Sequence, residues 1–251
     1  MSEHPSRTAK VPEVTLGFWI LKIVATTLGE TAGDAFSMTL GMGYLASTAM
    51  FALIFAMLAG FQIRAGRFHP LLYWATIVAT TTVGTTLADF TDRSLGIGYA
   101  GDSSLLLGLL LLSLFAWHRT KGSVSVNTVS DSGTEMFYWV TILFSQTLGT
   151  ALGDWTADTE GLGYAGGTLL FSSLLGLTAL GLLIRGVPRP LLFWSAFILT
   201  RPLGAVLGDL LDKPHDHGGL ALSRFGASAV LLGFMAAFLV TVPQRPARAS
   251  H

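Results

Sequence analysis

The chain has 251 residues, 51% hydrophobic and only 12% charged, where a soluble domain carries about 25% charged residues. Fifteen Lys and Arg balance fifteen Asp and Glu, so no basic field exists to hold nucleic acid. There is no cysteine, which excludes disulfides and thiolate metal centres.

Residues 1–12 read as a cytoplasmic N-terminal segment without a signal-peptide pattern, so the first membrane helix is expected to do the targeting. That helix is predicted over 13–36. It opens near Phe18-Trp19 and contains ATTLGETAGDAF, Ala25 to Phe36, which sets Glu30 and Asp34 in an apolar stretch. A Gly-x-Gly-Tyr turn ending at Tyr44 leads into a second helix, 44–64. Two more follow at 70–91 and 102–119, which complete membrane half 1, 13–119. The polar stretch 120–134, TKGSVSVNTVSDSGT, reads as a cytoplasmic linker. Helices at 135–157, 166–185, 190–211 and 221–242 make membrane half 2, 135–242, and 243–251 reads as a cytoplasmic tail. The apolar runs have the length of about 20 residues that crosses a bilayer core.

The eight helices are four copies of one unit. Aromatic–Trp pairs recur at Phe18-Trp19, Tyr73-Trp74, Tyr138-Trp139 and Phe193-Trp194. Ten residues after each Trp stands Gly29, Gly84, Gly149 or Gly204, and five residues later Asp34, Asp89, Asp154 or Asp209. Tyr44, Tyr99 and Tyr164 follow ten residues on, with Gly219 in the fourth copy. An even number of helices per unit makes the repeats parallel, so like positions lie at like depths. The Trp residues are expected in an interfacial belt. Each Asp lies about 22 Å further along a helix rising ~1.5 Å per residue.

Lys and Arg set the orientation. Arg7, Lys10, Arg64, Arg67, Arg119, Lys121, Arg185, Arg189, Arg245 and Arg248 fall on the side of the termini, and only Arg93, Lys213 and Arg224 on the other. The bias puts both termini in the cytoplasm. The turns on the far side are acidic instead, at Asp92, Asp102, Asp158, Glu160, Asp212 and Asp216.

The small-x-x-x-small pairs Gly29/Gly33, Gly84/Ala88, Gly149/Gly153 and Gly204/Gly208 predict close helix contacts, with the odd helices central and the even ones outside. This pattern resembles a family of bacterial uncharacterised membrane-anchored proteins with four tandem two-helix repeats, each with a characteristic Trp. The resemblance covers nearly the whole chain and implies the eight-helix fold.

The four Asp have two readings. Each is a latch for a neighbour's Tyr, Trp or Thr, or all four line one wet site. Departures from the repeat carry more information. Glu30 stands where the other units have Thr85, Thr150 and Ala205. Lys22 replaces Ile77, Ile142 and Phe197, and Arg201 replaces Thr26, Thr81 and Gln146. Arg201 and Glu30 differ by about 6 Å in depth, so a charge pair is expected if repeats one and four close into a ring. Lys22 is expected to snorkel toward the cytoplasm, and Pro202 to kink the seventh helix. Set against Lys22 and Arg201, the five acids leave three negative charges for protons, water or cations to compensate. Carboxylates with hydroxyls suit hard cations. In DKPHDHGG, Asp212, His215, Asp216 and His217 form a second candidate metal site at the outer mouth.

No H-E-x-x-H, G-x-S-x-G or Walker-type run is present, so enzymatic activity is not expected. The sequence points to an all-α polytopic protein of the bacterial inner membrane, with the lipid bilayer and a small cation as partners, and homo-oligomers allowed. The expected function is passage of a cation such as Mn²⁺, Mg²⁺ or Ca²⁺ with proton coupling. Its ion path is Glu30, Asp34, Asp89, Asp154, Asp209, Thr85 and Thr150, gated by Lys22 and Arg201. No covalent cofactor is expected; a bound divalent cation is. The alternatives are a scaffold or sensor with structural ions, and a carrier of a small anionic organic solute held by Arg201.

Overall fold

The computed structural model describes residues 9–159 and 161–247; Arg7, Glu160 and Arg248 lie outside them. Eight long helices account for nearly all of it: α1 (Leu16–Asp34), α2 (Tyr44–Arg64), α3 (Pro70–Asp89), α4 (Tyr99–Lys121), α5 (Ser132–Asp154), α6 (Gly163–Leu180), α7 (Arg189–Asp212) and α8 (Arg224–Thr241). The starts follow local chemistry. Thr15 caps α1 by accepting from the Phe18 N–H, Asp131 caps α5 through Gly133 and Thr134, and Ser223 caps α8 through Gly226. Pro opens α3 and α7, where its missing N–H costs nothing. α7 runs unbroken through Pro202.

The odd helices close into a ring in the order α1, α3, α5, α7 and back to α1. Glycine sets their separation. A Cβ on Gly29 would meet the Thr81 side chain, one on Gly84 the Gln146 residue, one on Gly149 the Arg201 side chain, and one on Gly204 the Thr26 side chain. In every case the position ten past Trp receives the position seven past Trp from the next helix. A turn further on, Gly33 meets Thr85, Gly153 meets Ala205, and Gly208 meets Glu30. The four helices are therefore parallel and in one cyclic register.

The even helices form the outer layer, but each covers the odd helix of the next repeat. α2 packs on α3, α4 on α5, α6 on α7, and α8 on α1. Their outward faces carry exposed Leu, Phe, Met and Val, among them Leu53, Phe61, Leu112, Phe115, Leu177 and Val230. Among the described residues six helices are long and apolar enough to cross a membrane: α2, α3, α4, α6, α7 and α8. The other two, α1 and α5, sit in the ring and bury Lys22, Glu30 and Asp34 in one and Glu135 and Asp154 in the other.

The segments just before α1 and just after α8 meet. Residues 11–13 pair with 245–247, the Glu13 N–H donating to the Arg245 carbonyl at 2.8 Å and the Ala247 N–H to Val11 at 2.8 Å. The 120–134 stretch is shorter as a loop than its composition suggested, because α4 extends to Lys121 and α5 begins at Ser132. It lies packed against the bundle, with Val126 and Val129 buried and the Val124 carbonyl accepting from the Trp194 indole at 2.9 Å.

The aromatic pairs do not form a lipid-facing belt. Phe18 packs on Trp74 at 5.5 Å between ring centres, Tyr73 on Trp139 at 5.7 Å, Tyr138 on Trp194 at 6.3 Å, and Phe193 on Trp19 at 5.7 Å. The residue before each Trp thus touches the Trp of a neighbouring odd helix, and eight rings seal one end of the bundle. Tyr73 and Tyr138 also share a hydrogen bond of 2.6 Å. The pairs pack on one another between helices in offset and edge-to-face contacts, with Trp74, Trp139 and Trp194 buried and Trp19 and Phe193 half-buried.

Replacing Gly204 with Val should overpack the α7–α1 contact and cost about 1–3 kcal/mol, read as a lowered melting temperature in detergent. Gly60, whose Cβ would meet open space, should accept Ala without loss.

Candidate functional site

The acids gather at the end of the bundle opposite the aromatic seal. In the first three repeats the α-helix ends at the Asp and continues as one π-helical turn: Ala35–Thr39, Phe90–Ser94 and Trp155–Thr159. Such turns are rare and often mark functional positions. The Gly-x-Gly-Tyr segments follow, and Gly41, Gly43, Gly96, Gly98, Gly161 and Gly163 all adopt positive φ between 64° and 77°, which requires glycine. In the fourth repeat α7 instead runs on to Asp212.

All four repeated Asp are buried, at 5% exposure or less. They are held not by Tyr, Trp or Thr, as the latch reading expects, but by bases. Arg93 contacts Asp89 at 2.9 Å and reaches toward Asp154 at 3.7 Å. Lys213 bridges Asp209 at 2.9 Å and Asp34 at 3.0 Å. Arg224 adds Asp34 at 3.5 Å and Asp212 at 2.6 Å. Arg93 and Lys213 each stand four residues after an Asp, one helical turn on, and each joins its own Asp to that of the next odd helix. Burial works against the charge on Lys213, but Asp209 and Asp34 outweigh it and hold the ammonium well above its ordinary range. The sequence reading missed both bases by counting them as loop charges. The base four residues past the Asp, in repeats two and four only, was the available signal.

Below this layer, Arg201 crosses the bundle axis. Its Nη2, with two hydrogens to donate, lies 2.9 Å from the Glu30 carboxylate, 2.6 Å from Thr85 Oγ1 and against Thr150 Oγ1. One guanidinium thus joins α7 to α1, α3 and α5, at zero exposure. Thr85 Oγ1 also lies 3.3 Å from Glu30 Oε2. Glu30, Asp34 and Asp209 each place a carboxylate oxygen within 4.8 Å of the others, all buried.

Other expectations need correction. Lys22 does not snorkel: it is fully buried, with its Nζ 4.2 Å above the Phe197 ring. Asp212, His215, Asp216 and His217 do not converge. Asp212 is engaged by Arg224, His215 Nδ1 lies 2.9 Å from the Gly219 carbonyl, and His217 and Asp216 are exposed and 3.9 Å apart. The charge balance tightens as well, since Arg93 and Lys213 compensate acids that Lys22 and Arg201 leave unpaired. A cavity of about 490 Å³ lies off the axis among α1, α6, α7 and the 120–134 segment, and none of the five acids lines it.

Removing one partner of a fully buried ion pair costs about 3–5 kcal/mol. Arg201→Met should therefore lower the melting temperature sharply, and adding Glu30→Gln should recover most of the loss.

The model of a repeat of unknown function, DUF347, matches the chain four times, over residues 17–68, 72–123, 137–186 and 192–242. No curated protein and no solved structure matches it. The matched units coincide with the four Trp–Gly–Asp copies that build the ring, and the chain belongs to the DUF347 repeat family.

Proposed function

We propose that the chain is an eight-span membrane carrier for a small hard cation, with proton coupling. All four odd helices share one register, so α1 and α5 cross wherever α3 and α7 do. Eight crossings put both termini on one side, and the Lys and Arg bias makes that side the cytoplasm of a bacterial inner membrane.

One observation carries the cation reading: Glu30, Asp34 and Asp209 bring three buried carboxylate oxygens within 4.8 Å of one another. Oxygens so spaced suit a single ion with metal–oxygen distances of about 2.0–2.6 Å. Lys213 and Arg201 occupy the places a free cation would take, at 2.9–3.0 Å from these acids. They act as tethered competitors. A cation entering from the Asp end displaces Lys213 from Asp34 and Asp209. Protonation of the same carboxylates opposes it, because one negative charge serves both ligands. Arg201 and the aromatic seal close the route beyond, which favours an alternating carrier over an open channel.

A purely structural role is the second reading. It is favoured by Arg93 and Lys213 lying between acids of adjacent odd helices, which would fix the ring without any transport.

Proteoliposomes holding the purified chain should take up at least one of Mn²⁺, Mg²⁺ and Ca²⁺ under an imposed pH gradient. Asp209→Asn should cut that flux about tenfold or more, equivalent to ~1.4 kcal/mol, while its gel-filtration profile stays unchanged. Absence of flux for all three ions, or full flux in the variant, leaves the structural reading.

A further inference from the structure

The aromatic seal is complete at three of its four contacts. Phe18 and Trp74, Tyr73 and Trp139, and Tyr138 and Trp194 are all buried. Phe193 and Trp19, which meet at 5.7 Å between α7 and α1, are only half-buried. Both line the cavity of about 490 Å³ beside α6.

The repeat accounts for this gap. Gln62, Trp117 and Leu182 each stand 43 residues past the Trp of their own unit. Trp117 of α4 is fully buried and packs on Tyr138 at 6.3 Å and on Trp194 at 5.8 Å. Gln62 of α2 is buried as well. Leu182, just past α6, is 50% exposed and lines the cavity together with Phe193 and Trp19. The smaller side chain leaves open the space that an indole fills one repeat earlier.

The lining is polar and charged at one end only. Arg189, the first residue of α7, is the one charged residue in it, and Ser125 and Asn127 of the 120–134 segment lie at the same end of the bundle. Along α7 the wall continues to Thr200, about 16 Å at ~1.5 Å per residue, close to half of a ~30 Å hydrocarbon core. The hydroxyls deeper in the wall are already satisfied: Thr200 donates to the Phe197 carbonyl at 2.7 Å and Thr178 to Leu174 at 2.9 Å. The deep part therefore offers nothing to a polar solute. Arg189 is exposed, and among the described residues no carboxylate lies within 4.0 Å of it. The N-terminus of α7 adds partial positive charge at the same place.

We propose that this groove seats one acyl chain of an anionic phospholipid, from the leaflet on the side of the chain termini, with the lipid phosphate on Arg189. Basic residues between membrane helices hold such head groups. The acyl chain covers Trp19 and Phe193 as Trp117 covers Trp194, so the bound lipid completes the seal. The inference rests on the membrane-spanning reading and not on transport.

The test uses the purified full-length chain, delipidated in detergent and titrated with dioleoyl phosphatidylglycerol. Native mass spectrometry should show one retained lipid per chain, and the melting temperature should rise with occupancy. Phosphatidylcholine with the same acyl chains should bind about tenfold more weakly or worse, and glycerol phosphate should not bind. Arg189→Gln should raise the Kd for phosphatidylglycerol about tenfold or more. Leu182→Trp keeps every charge and supplies the indole that repeat two uses; it should raise the Kd likewise and abolish the melting shift. An unchanged Kd in either variant, or glycerol phosphate binding as well as the lipid, would overturn the proposal. A lipid-free dimer that Leu182→Trp separates into monomers would give the groove to a second copy and overturn it equally. Cation flux is not read in this assay, so either idea can fail alone.

Discussion

Four glycines, each ten residues past a Trp, set the distance between the odd helices. In lipid no hydrophobic force drives helices together, so backbone approach and van der Waals packing must hold them. Gly29, Gly84, Gly149 and Gly204 each receive a side chain from the next helix, and four such contacts close a ring. Ring closure then aligns the Asp at one end and the aromatic pairs at the other.

Onto this cyclic frame the chain writes a few single changes, and the electrostatics follow from them. Arg201 uses the slot on Gly149 that Thr81 uses on Gly29, and Glu30 uses the slot on Gly208 that Thr85 uses on Gly33. The two charges meet because their slots are neighbours around the ring. Bases in repeats two and four lower the fourfold pattern to a twofold one: Arg93 lies between the second and third Asp, and Lys213 ties the fourth to the first. The polar interior is thus organised by pairs of repeats, while the packing is organised by single repeats.

Much of this was legible in the sequence. Apolar runs, the Trp–Gly–Asp spacing and the small-residue pairs specify the helices, the repeat and the central position of the odd helices, since each reflects a local physical demand. The Arg201–Glu30 contact followed from depth alone once repeats one and four were set side by side. Three features did not follow. Hydropathy tells which surface meets lipid but not which helix is the neighbour, so the packing of α2 on α3 rather than α1 was invisible. Aromatic residues near a helix end suit an interface or a sealed core equally well, and only the ring's geometry decides for Trp74 and Trp139. Arg93 and Lys213 lie past the helix-ending acids, where a base reads as solvated until the π-helical turn and the extension of α7 fold it back.

The handing of each outer helix to the following repeat makes the molecule a loop of mutual shelter with a single seam, where α8 shields α1. A polypeptide of half this length would end with one core helix bare and one shielding helix unspent. Two such half-length chains would satisfy each other head to tail and reproduce the same circle. Joining them needs only a short bridge, and the Trp-to-Trp spacings of 55, 65 and 55 residues put ten extra residues at that midpoint.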